Sequence, residues 1–88
     1  MYELLLTHRA KQFYEKADSA LVRRVNRCFE RLHLQENPYN YPNIKPLKGL
    51  LSGHFRYRLG DWRVIYRVIE QKKQIIILLI VHRKNAYR

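Results

Sequence analysis

The sequence predicts an α+β domain in the order β-α-α-β-β-β, a largely antiparallel four-stranded sheet with a helical hairpin on one face. Three observations carry this. Leu21, Val25, Cys28, Phe29 and Leu32 recur at the spacing of a single α-helical stripe. Gly60-Asp61 separates two β-prone runs, FRYRL and WRVIYRV, that alternate apolar and basic residues, which is the pattern of a β-hairpin. Residues 75–81 then form an apolar run, too short to span a membrane and long enough for a strand, over 74–81, inside a sheet.

Each element has a local reason. Residues 2–6 are β-prone, and Thr7 offers a hydroxyl that can cap a helix over residues 8–17. Asp18 stands where the next helix needs its cap, and Arg23, Arg24, Arg27, Glu30 and Arg31 fall off that helix's apolar stripe. Residues 36–46, ENPYNYPNIKP, hold all three prolines and read as an irregular connection, with PLKGLLSG leading into the sheet. Strands over 55–59 and 62–70 meet at Gly60-Asp61, and glycine in the first place suits a two-residue type II′ turn. The last strand is apolar at every second residue on both faces, which predicts an interior strand covered on both sides.

A chain of 88 residues with 47% hydrophobic content has the length for one domain over residues 1–88. Its formal net charge of +11 exceeds what solubility needs and points to a polyanionic partner. The excess is lopsided, because from Ile44 onward Asp61 and Glu70 are the only acids. Cys28 is the only cysteine, so no disulfide within the chain is expected and a reducing cytoplasm suits it. The start, MYELLLTHRAKQ, lacks the basic-then-apolar order of a secretory signal. His8, His33, His54 and His82 are scattered without paired carboxylates, so no metal and no cofactor is expected. Neither a glycine-rich phosphate loop nor a nucleophile elbow is present.

A two-residue turn places Leu59 opposite Trp62, Arg58 opposite Arg63, Arg56 opposite Ile65 and His54 opposite Arg67. Side chains alternate faces, so Phe55, Tyr57, Leu59, Trp62, Val64, Tyr66 and Val68 share a core face. His54, Arg56, Arg58, Arg63 and Arg67 share the other. Like charges directly opposite one another cost about 0.2 to 1 kcal/mol per pair. Such a face is a solvated surface, a phosphate site or the landing place of an acidic protein; guanidinium forks match phosphate oxygens and keep their charge. Whether His82 joins it depends on the turn at Lys72-Lys73: two turn residues put His82 opposite Arg63, and three do not. Trp62 reads as core, whereas Tyr39 and Tyr41 suit either packing or base stacking.

PLKGLLSGHFRYRLGDWRVIYRV, the closing HRKNAYR and the order of elements together resemble the RelE/ParE toxin superfamily of toxin–antitoxin systems, in its RelE-like mRNA interferase branch. The resemblance covers essentially the whole chain. It implies a microbial-ribonuclease-like fold and a metal-independent endoribonuclease that cleaves mRNA in the ribosomal A site, inhibiting translation until an acidic antitoxin neutralises it. The positions that match the family's catalytic residues are Arg56, Arg58, Arg63, Arg83 and Tyr87. The best-studied bacterial pattern has lysines where this chain has Arg56 and Arg58, and an arginine, with a pKa above about 12, does not readily act as a base.

Cleavage by 2′-hydroxyl attack needs a base for that proton, cations for the phosphate and an acid for the leaving 5′-oxygen. On this reading Arg56, Arg58 and Arg63 hold the phosphate, Arg83 sits near the leaving group, and Tyr87 orients or deprotonates the nucleophile, with His54 or His82 as substitutes. Lys45, Lys48, Arg67 and Lys84 are expected to contact RNA, either mRNA or ribosomal RNA. Two other readings share the pattern: a ParE-like poison of DNA gyrase, and an RNA-binding module without catalysis.

Overall fold

The computed structural model describes residues 1–34 and 37–85. β1 (Glu3–Leu6) leads into α1 (His8–Lys16) and α2 (Ser19–Leu34), followed by β2 (Ile44–Pro46), β3 (Phe55–Leu59), β4 (Trp62–Ile69) and β5 (Gln74–His82). The sheet order is β1-β5-β4-β3-β2. Every pairing is antiparallel except β1 with β5. The sheet therefore has five strands where the sequence predicts four. The additional one lies inside the proline-rich connection: Ile44, Lys45 and Pro46 pair with Tyr57, Arg56 and Phe55. An edge strand tolerates Pro46, since an edge residue need not donate on both sides.

Both helix starts are capped as expected. Thr7 accepts from the Ala10 N–H at 3.2 Å, and Asp18 Oδ1 accepts from the Leu21 N–H at 2.8 Å. Thr7 has a second duty. Its hydroxyl donates to the Leu78 carbonyl and its N–H to Ile77 at 3.0 Å. Leu78 is the extra residue of a bulge, because Tyr66 pairs with Ile77 and Ile65 with Leu79; the side chain that starts α1 thus satisfies a carbonyl that the bulge frees.

The helices bury Ala10, Val25, Cys28 and Leu32 against Tyr57, Val64, Tyr66, Ile75, Ile77 and Ile80. Tyr66, the largest fully buried side chain, also donates to the Pro38 carbonyl at 2.7 Å and so ties the proline-rich segment to the core. Glu70 secures that segment a second time, accepting from Tyr39 at 2.7 Å and from Tyr2 at 2.8 Å while pairing with Lys73. Tyr39 is thereby committed to packing, its ring edge-on to Phe55.

β5 lies inside the sheet, as expected, but among the described residues helices cover only one of its faces. Ile76, Leu79 and Val81 pair with residues of the opposite face and remain half-buried, with no described helix above them. Aliphatic packing within the sheet itself shelters that side, enough to leave Ile65 only 2% exposed.

Candidate functional site

The β3–β4 hairpin has the register that its turn dictates: Leu59 faces Trp62, Arg58 faces Arg63 and Arg56 faces Ile65. Gly60 makes it possible. Its φ is +63°, a left-handed conformation that favours glycine, and the tip of the Arg24 side chain lies over it.

Across the open face of the sheet the register sets out three rows. Arg58, Arg63 and Val81 form the row at the turn; Lys45, Arg56, Ile65 and Leu79 form the next; Arg67, Ile76 and Leu5 form the third. The cations therefore occupy β2, β3 and β4, and β5 and β1 supply an apolar flank. The backbones of Arg56 and Arg58 stand about 6.7 Å apart along β3 and those of Arg58 and Arg63 about 5 Å apart across the hairpin, so the three side chains leave the sheet from neighbouring points. Arg56 Nε is buried without a hydrogen-bond partner among the described residues. An unsatisfied buried donor costs about 1 to 3 kcal/mol, which an arriving acceptor can relieve.

Arg63 avoids its like-charged neighbour by folding back on the turn, Nη1 donating to the Gly60 carbonyl at 2.7 Å and to that of Trp62 at 2.9 Å. Arg83 lies at the same end. Its N–H donates to the Asp61 carbonyl at 2.7 Å and its Nε stands 3.6 Å from the Asp61 carboxylate. Thus Arg58, Arg63 and Arg83 gather around one turn: the pairing of Trp62 with His82 brings Arg83 there, and Asp61 is its exposed counter-ion. Sequence reasoning gave Asp61 no such part; the signal was available, since it is one of two acids in a basic half-chain.

His82 is not on this face. It pairs with Trp62, packs edge-on against the indole at 5.2 Å, and its Nδ1 accepts the Lys84 N–H at 3.3 Å. The reason is a turn of four residues, 70–73, with Lys73 left-handed at φ 51°, followed by the bulge at Leu78, which together bring Val81 opposite Arg63. His54 precedes β3, its Nδ1 3.2 Å from the Leu51 carbonyl. The ladder ends at Phe55–Tyr66, one step short of the expected pairing with Arg67. Lys45, Lys48, Arg67 and Lys84 are exposed, and Tyr87 lies outside the described residues. Trp62 is half-buried against Phe13, in the core as expected. Tyr41 sits beneath the Arg31 guanidinium at 5.8 Å, on the helix side.

A compact α+β fold with a basic hairpin face is the build of the small toxins of type II toxin–antitoxin systems. The chain belongs to the family described as ParE toxin of type II toxin-antitoxin system, parDE, which matches residues 4–87, and with it to the RelE/ParE toxin superfamily. Toxin RelG of Mycobacterium tuberculosis (strain ATCC 25618 / H37Rv) is 39% identical over 44 residues, 50% of this chain and 51% of that protein; the chain spans about half the length of this curated relative. The archaeal RelE–RelB complex of Pyrococcus horikoshii OT3 contains a chain 28% identical, with a TM-score of 0.78 over 97% of this chain and 98% of that one. The heterotetrameric YoeB–YefM toxin–antitoxin complex of Staphylococcus aureus, at 18% identity and a TM-score of 0.73 over 90% of this chain and 93% of that one, is alike in fold.

Proposed function

We propose that this toxin is a ribosome-dependent endoribonuclease that cuts mRNA in the A site without a metal ion, and that an acidic antitoxin neutralises it. The observation that carries the reading is Arg58 directly opposite Arg63, with Arg56 two residues along the same face. Three arginines grouped on one face serve a phosphate on which negative charge builds up, where fixed charge is worth most. The 2′-oxygen attacks phosphorus as a base takes its proton, and the 5′-oxygen leaves with a proton from an acid, giving a 2′,3′-cyclic phosphate and a free 5′-hydroxyl. Arg58 and Arg63 hold the non-bridging oxygens, and Arg83, at the same turn, stands nearest the leaving group once it lets go of Asp61.

The base is Tyr87 or a histidine. Of the two histidines, His54 suits the role better: with Nδ1 donating to Leu51, its Nε2 keeps a lone pair. It stands about 13 Å along the strand from Arg58, however, so it serves only a phosphate bound nearer Arg56 and Arg67. Support for the protein partner comes from the net charge of +11 and from relatives whose solved structures are complexes.

Primer extension on an mRNA in a purified translation system tests the reading. Wild-type protein is expected to give ribosome-dependent cuts, reduced roughly a hundredfold or more in Arg58→Ala, Arg83→Ala and Tyr87→Phe. Cuts that persist in all three variants would refute the residue assignment. A second reading, a gyrase poison, has in its favour that the matching family is described as ParE toxin. No cuts in the translation system together with inhibited supercoiling would establish it instead.

A further inference from the structure

The opposite side of the molecule carries a second basic feature that cleavage does not use. Arg24, Arg27, Arg31 and Leu34 lie along one flank of α2 and line two adjoining cavities. One, of about 510 Å³, is bounded by Arg27, Glu30, Arg31, Leu34 and Tyr41. The other, of about 180 Å³, is bounded by Arg24, Arg27, Arg31, Cys28, Asn43, Tyr57 and Leu59. Because Arg27 and Arg31 border both, they form one groove between α2 and the β2–β3 edge. Its length from position 24 to 34 is about 15 Å, which some five residues of extended chain or three turns of helix would cover.

Two of the three arginines, Arg24 and Arg31, are held in place. Arg24 Nη2 donates to the Leu59 carbonyl at 3.2 Å, and Arg31 reaches the Tyr57 hydroxyl at 3.4 Å while lying over the Tyr41 ring. Among the described residues the ion pairs are Lys73–Glu70 and Arg83–Asp61; neither involves Arg24, Arg27 or Arg31, and Glu30 is the one described carboxylate that lines the groove. Three arginines against one carboxylate leave the groove with a positive excess that attracts anions. The wider cavity adds an apolar wall: Leu34 is 55% exposed and Tyr41 37%, and both offer surface that an aliphatic side chain would cover.

We infer that this groove is the docking site of an acidic segment of a partner protein, whose carboxylates engage Arg24, Arg27 and Arg31 while a leucine-like side chain fills the cavity beside Leu34 and Tyr41. The inference rests on the reading that this toxin is held by a protein partner. RNA on the arginine face of the hairpin leaves the groove open, since α2 packs on the other side of the sheet. Partner and RNA therefore have separate footholds.

Fluorescence anisotropy tests it, with a labelled peptide of Glu-Glu-Leu repeats and a labelled short oligouridylate as probes. The proteins are wild type, Arg27→Glu, Leu34→Ser and Arg58→Glu; residues 27, 34 and 58 are exposed, and thermal melts confirm that the variants are folded. The peptide is expected to bind wild type, to weaken roughly tenfold or more in Arg27→Glu and severalfold in Leu34→Ser, and to keep its affinity in Arg58→Glu and in excess oligouridylate. Three results overturn the inference: no peptide binding to wild type, loss of peptide binding in Arg58→Glu but not Arg27→Glu, or loss of oligouridylate rather than peptide in Arg27→Glu, which would make the groove a nucleic-acid surface. Absence of mRNA cuts in the translation assay bears on the nuclease reading alone and leaves this outcome standing.

Discussion

Arg63 and Arg83 are each tied to the backbone or carboxylate of a single turn, which eases the repulsion that Arg58 opposite Arg63 would otherwise impose. The ties are exposed and weak, so an arriving phosphate can replace them, charge-assisted hydrogen bonds to an anion being roughly twice as strong as neutral ones. Cys28 is the contrary case of a residue made inert. Burial pushes its thiol up to about 12, leaving almost no thiolate at neutral pH. A disulfide reagent such as dithiobis(nitrobenzoate) at pH 8 is accordingly expected to modify the folded protein at least about a hundredfold more slowly than the urea-unfolded chain. Equal rates in the two states would mean that the α2–β3 interface opens freely.

Among the elements, Thr7 ties β1 and α1, its neighbours in sequence, to the bulge of β5, 71 residues further along the chain. Replacing it by valine keeps the shape and removes the hydroxyl. The loss of an N-cap costs about 0.5 to 2 kcal/mol, and an unpaired Leu78 carbonyl adds about 1 kcal/mol or more. Thr7→Val is expected to lower the melting temperature by about 10 °C, while Thr7→Ser, which keeps the oxygen, stays within a few degrees in the same calorimetric scan. A valine variant as stable as wild type would show that the bulge does not depend on this bond.

The molecule as a whole is held against its own charge. With a net charge of +11, the Glu70 carboxylate gathers Lys73, Tyr39 and Tyr2 around itself, and these hydrogen bonds, that from Lys73 first, hold it well below its usual range, at about 2. A carboxyl depressed on folding stabilises the folded state above its unfolded pKa, here about 4.5, and loses that contribution as pH falls towards 2. Urea titrations across that interval are expected to show wild type losing stability more steeply than Glu70→Gln, and parallel curves would remove Glu70 from the acid response. Salt acts on the other charged surface: the affinity for oligouridylate should fall log-linearly with salt, with a smaller slope in Arg58→Ala because one phosphate contact fewer releases counterions. A slope unchanged by that substitution would take Arg58 out of the RNA contact.

Alternation and a two-residue turn sufficed to read the hairpin register, the core face and the arginine face from the sequence, because strand geometry repeats every two residues and the turn admits one pairing. Capping chemistry likewise showed both helix starts at Thr7 and Asp18. Long-range pairings lay beyond such local rules. Only the tertiary structure decided that Ile44–Pro46 joins the sheet, that a bulge at Leu78 sends His82 towards Trp62 and away from Arg63, and that this pairing brings Arg83 to the hairpin turn. Each of these depends on a partner distant in sequence, whose hydrogen bonds and burial outweigh the preference of the local segment, and no spacing along the chain announces where such a partner will be.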